Sequence, residues 1–98
     1  MKLEIKNIEI KIAKSFFARL KGFMFKKNIK NGLCFPKCNS IHTFFMLTNI
    51  DVIMTDKNNN ILYTYHNLKP NRIIWPKKKV YYTYELPAGY LNELKKNK

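Results

Sequence analysis

Ile50-Asp51-Val52-Ile53-Met54-Thr55, Asp56-Lys57-Asn58-Asn59-Asn60 and Ile61-Leu62-Tyr63-Thr64-Tyr65-His66-Asn67-Leu68 follow one another without a break. β-Branched and aromatic side chains dominate the two flanks, and such residues suit a pleated, half-buried surface. Between them stand Asp and Asn, whose short polar side chains tolerate the positive φ of a tight reversal. The stretch predicts a hairpin with strands over 50–55 and 61–68, and this places the chain among sheet proteins.

Working outward, strand candidates lie around Leu33–Phe35 and Ile41–Met46. Downstream, Lys69–Lys79 contains Pro70 and Pro76, which cannot donate to a sheet ladder, so it reads as an irregular excursion. Val80–Leu86 is β-rich again, Pro87-Ala88-Gly89 punctuates, and the basic tail 90–98 suits a short C-terminal helix. At the other end Leu3 and Ile5 fall on odd positions, whereas Ile8, Ile10 and Ile12 fall on even ones. The change of phase at Lys6-Asn7 predicts a hairpin within residues 1–12. Ala13, Phe16, Phe17, Leu20 and Met24 then follow the stripe of one helical face, with Ser15 as N-cap and Gly22 as terminator. The expected fold is a single α+β domain over 1–98. Its sheet is mostly antiparallel and barrel-like, with one short helix packed on it and a second short helix at the C-terminus.

The chain has 98 residues, 19 Lys and Arg against 6 Asp and Glu, and 46% hydrophobic residues. That apolar share excludes a disordered tail. No run approaches the roughly 18 apolar residues of a membrane span, and the charges in Met1–Lys6 interrupt any signal-peptide core. A cytoplasmic monomer is therefore expected. The net charge of +13 invites a nucleic-acid reading, but 17 of the 19 basic residues are Lys. Only Arg19 and Arg72 carry the guanidinium fork on which base reading relies. Lys, Asn, Ile, Tyr and Phe share A/T-rich codons, so composition accounts for much of the charge.

Five segments, in order, resemble the DUF192 family of bacterial and archaeal proteins. They are Arg19-Leu20-Lys21-Gly22-Phe23-Met24-Phe25-Lys26, Cys38-Asn39-Ser40-Ile41-His42-Thr43-Phe44-Phe45-Met46, Ile50–Asp56, Leu68-Lys69-Pro70 and Tyr84-Glu85-Leu86-Pro87-Ala88-Gly89. The resemblance runs from about Ala13 to Gly89. It implies a mostly β fold with a short helix after the first strands, and it implies no established activity. The chain departs from longer members after Gly89, where they continue into a further strand.

Cys34-x3-Cys38-x3-His42 gathers zinc-ligand residue types, but the spacing is not that of a zinc site, and no metal or cofactor is expected. Cys38 and His42 have the residue types of a nucleophile and its base, with Asp51 or Glu85 to orient the imidazole. His42, Thr43, Asp51 and Glu85 are polar residues inside apolar strands, so each needs a partner or a cleft. They form either a buried network with Arg19 or a small-ligand or hydrolytic pocket beside Met24 and Met46. The basic–aromatic loop 69–82 offers the surface alternative. There Arg72, Trp75, Lys77, Lys78 and Lys79 suit an acidic protein or anionic surface, or RNA and single-stranded DNA bound weakly and without sequence preference. With no complete catalytic constellation, the sequence favours a non-enzymatic binding module acting through that loop.

Overall fold

The computed structural model describes residues 1–13 and 28–96, with side chains through Leu94. The predicted helix over Ala13–Met24, with Ser15 and Gly22, lies outside the described residues apart from Ala13, as do Arg19 and Met24. Among the described residues seven strands precede one helix: β1 (Ile10–Ile12), β2 (Gly32–Pro36), β3 (Ile41–His42), β4 (Ile50–Thr55), β5 (Ile61–Leu68), β6 (Ile73–Ile74), β7 (Tyr82–Pro87) and α1 (Tyr90–Lys96). The hairpin strands β4 and β5 occupy the predicted spans. Asp56 fixes their turn: its Oδ1 accepts the N–H of Asn58 and of Asn60, each at 2.9 Å, and Asn59 takes φ 63°.

The main sheet has the order β1-β2-β7-β4-β5, and β3 pairs with β6 in a separate two-stranded ribbon. Every pairing is antiparallel except β1 with β2, which is parallel. The sheet does not close into the expected barrel, because β1 and β5 are opposite edges. The expected N-terminal hairpin does not form either. Lys2 pairs with Asn60, and Ile10–Ile12 lie along Gly32–Cys34. The two alternating runs of the N-terminus thus serve two distant partners, and the phase break is the passage between them. Of the strand expected over Ile41–Met46 only Ile41–His42 forms, because the chain turns at Phe44-Phe45 with Phe45 at φ 64°.

Period-two alternation gives the sheet two buried faces. The first carries Ile50, Val52 and Met54 of β4, joined by Met46 and Ile74 from the excursions. The second carries Ile53, Cys34, Tyr84 and Leu86, covered by Tyr90 and Leu91 of α1 and by Leu3, Ile5 and Ile8. Gly32 permits close approach of three strands. A Cβ there would meet the Ile10 side chain and lie 2.8 Å from Leu86 Cδ2.

Candidate functional site

Asp51 is 1% exposed on the second face of β4, and both its carboxyl oxygens accept backbone N–H groups. Oδ1 takes that of Asn67, at the irregular end of β5, and Oδ2 takes that of Leu91, in the first turn of α1, each at 2.8 Å. One buried side chain therefore fastens a strand and a helix to the sheet. Glu85 lies on the first face, because its register partners are Leu33 and Val52. Asp51 is paired with Leu86 and looks the other way. The two acids leave opposite sides of the sheet and do not converge.

His42 belongs to the β3–β6 ribbon, where it is half-buried opposite Ile73. Its Nδ1 accepts the N–H of Phe44 at 3.2 Å, and its ring stacks on that of Phe44 with centroids 5.3 Å apart. Cys38 donates its thiol to the Ser40 carbonyl at 3.1 Å, while Cys34 sits within the second face; both thiols are free. Burial pushes the Cys34 thiol up, and its hydrogen bond with Tyr84 opposes this only in part. Burial also raises Tyr84, reinforced by Cys34 beside it, and its hydroxyl donates to Asn59 Oδ1 at 2.8 Å. Among the described residues no group of three or more His, Cys, Asp and Glu side chains could hold a metal ion. Met46 is a core residue. The described residues among those considered for a pocket are thus distributed over two sheet faces and a ribbon, with Arg19 and Met24 outside the described residues.

Thr43 has another role. It is 1% exposed; its hydroxyl donates to the Lys69 carbonyl and accepts the N–H of Arg72, both at 2.8 Å. Its own N–H donates to Arg72 O at 2.8 Å, and its carbonyl accepts the N–H of Asn71 at 3.0 Å. Thr43 therefore ties the start of the basic excursion to the ribbon. Farther along, Lys77 N–H donates to Asn39 O, and its ammonium lies 5.5 Å from the Tyr63 ring centroid.

On this fastened backbone Ile74 turns into the core, whereas Trp75 is 68% exposed. Ile73, Phe45 and Leu47 are also exposed on the two segments that Thr43 joins. Arg72, Lys78 and Lys79 are exposed beside them, and Lys77 is half-buried. Phe45 and Leu47 escape a sequence reading, since Phe44-Phe45-Met46-Leu47 has the look of a buried strand. The positive φ at Phe45 gives no signal in the sequence, because aromatic residues rarely adopt it.

A model of the family DUF192, described as an uncharacterised ACR, matches residues 1–97. A UPF0127 protein of Thermococcus kodakarensis is 36% identical over 92 residues, which cover 88% of this chain and 58% of that protein. A UPF0127 protein of Pyrococcus horikoshii is 41% identical over 102 residues, covering 94% and 87%. The chain thus spans less than two thirds of the first of these relatives and most of the second. In fold it is similar to a protein of unknown function from Novosphingobium aromaticivorans, with TM-score 0.78, 16% identity, and coverage of 90% of this chain and 69% of that one. The expected resemblance, carried by motifs from Ala13 to Gly89, thus meets a match over almost the whole length: the chain belongs to the DUF192 family.

Proposed function

We propose that the chain is a non-enzymatic binding module that takes an acidic polypeptide on the surface of Phe45, Leu47, Ile73 and Trp75. One observation carries this reading: an indole 68% exposed just after a segment, Lys69–Arg72, that Thr43 holds by hydrogen bonds from both its hydroxyl and its main chain. An aromatic anchor yields most when its backbone is already ordered, because less conformational freedom is lost on binding. Arg72 and Lys77–Lys79 around the apolar side chains favour an acidic partner and speed its encounter. The divergence of Asp51 from Glu85, on opposite faces of the sheet, weighs against a hydrolytic site that uses both acids.

Trp75 is the only tryptophan, so its fluorescence reports on this surface alone. Trp75→Ala, and separately Lys78→Glu with Lys79→Glu, should abolish capture of acidic proteins from lysate. Stability should stay within about 0.5 kcal/mol, as for exposed positions generally. A large fall in Tm would make the loop structural and end the binding reading. Displacement of captured protein by poly(U) RNA at physiological salt would transfer the surface to single-stranded nucleic acid.

A further inference from the structure

The other feature able to take a partner is the outer edge of β5. It closes one side of the main sheet, and β4 is its strand neighbour on the inner side only. An edge strand presents a row of unpaired N–H and C=O groups, and proteins usually blunt such edges with short length, Lys, Pro or bulges. The opposite edge follows that practice, since β1 has only three residues. β5 has eight, Ile61–Leu68, with no Lys, Arg, Asp, Glu or Pro among them. Its register with β4 shifts only toward the two ends, leaving Tyr63, Thr64 and Tyr65 in regular pairing with Met54, Ile53 and Val52.

The chain itself places one short segment at the start of this edge through an isolated bridge. Ile61 N–H donates to the Met1 carbonyl at 2.7 Å, Leu3 N–H donates to the Asn59 carbonyl at 2.8 Å, and Lys2 lies antiparallel to Asn60. Among the described residues this pairing involves Asn59, Asn60 and Ile61 only. From Leu62 to His66 the edge continues, and among the described residues no strand pairs with it.

We propose that an extended acidic peptide pairs antiparallel with Leu62–His66 on this edge. Main-chain hydrogen bonds would supply the affinity and alternate side chains the specificity, as in other strand additions. Charge selects the occupant. Lys2 stands beside one end of the open edge, Lys69 follows the other, and Lys77 covers the Tyr63 ring on the first face. A second copy would bring another +13 to the same place, which opposes self-pairing. The site does not depend on Trp75.

The probe is the blocked peptide acetyl-Glu-Val-Glu-Tyr-Glu-Val-Glu-Thr-amide, titrated into the ¹⁵N-labelled chain at physiological salt. Binding should appear at a Kd of about 100 μM or tighter, with the amides of Leu62–His66 perturbed first. Two further peptides carry N-methyl groups on odd or on even residues. Only one row of amides can face β5, so one methylated form should bind at least roughly tenfold more weakly and the other should bind normally. A peptide with Lys in place of every Glu should fail, and Trp75→Ala should bind the probe as the unaltered chain does. Equal binding by both methylated forms would overturn the proposal. So would perturbation centred on Arg72–Lys79, dependence on Trp75, equal binding of the Lys peptide, self-association through β5, or no binding up to about 1 mM.

Discussion

A single carboxyl group, that of Asp51, does the work expected of a site by serving the fold instead. Its two oxygens satisfy two buried or half-buried N–H groups, those of Asn67 and Leu91, that lie 16 and 40 residues away along the chain. Removing it leaves both donors without partners, and a buried unsatisfied donor costs about 1–3 kcal/mol. Asp51→Ala should therefore lose about 2–5 kcal/mol in urea unfolding. Asp51→Asn, which keeps one acceptor oxygen, should lose less. Early exchange of the Leu91 amide in the Ala variant would locate the loss at the start of α1. Asn residues meet a second local demand: Asn7, Asn59, Asn67 and Asn71 all adopt positive φ, where their side chains cost least among non-glycine residues. An Asn-rich composition that codon usage could explain is, at these positions, also conformationally useful.

Among the elements, the β4–β5 hairpin was the most legible, because its signal is local: two β-rich runs and a turn whose chemistry lies between them. Asp56 makes that turn pH-dependent. The backbone N–H of Asn60, then its side chain, then the N–H of Asn58 hold the Asp56 carboxyl below its ordinary value of 3.8. A group depressed on folding adds stability that is complete above 3.8 and is lost as pH falls through its folded value. The amide signals of Asn58 and Asn60 should thus move together below pH 3.8, and Asp56→Ala should remove the shared titration. Of the two N-terminal runs only Ile10–Ile12 forms a strand, the first making no more than an isolated bridge at Lys2, and neither pairing was legible. Alternation says which face a residue buries and is silent on which strand lies beside it, and a local hairpin meets the pattern as well as partners at Asn60 and Gly32 do. Trp75 was legible as a surface residue of the basic–aromatic loop, whereas the Thr43 hydroxyl that grips residues 26 and 29 positions onward was not. Asp51 and Glu85 looked equivalent in sequence because the opposed pleats of β4 and β7 separate them only once the register is known.

For the molecule as a whole the uneven charge sets the response to salt. The ion pair of Lys6 with Glu4 is 3.9 Å long and largely exposed, so it contributes little. Repulsion within a +13 chain is the larger effect, and it is screened as ionic strength rises. Tm should climb by about 2–5 °C between 10 mM and 300 mM NaCl; a fall would mean that attractive pairs dominate. The strand order also bears on how the molecule is made. In the series β1-β2-β7-β4-β5 the strand joining the two halves is β7, which is made after the other four. Until Tyr82–Pro87 emerge, β1–β2 and β4–β5 are separate fragments, and the facing sides of β2 and β4 are bare. Chains stalled before Tyr82 should accordingly stick to one another and recruit chaperones, whereas six further residues would let the sheet close in one step.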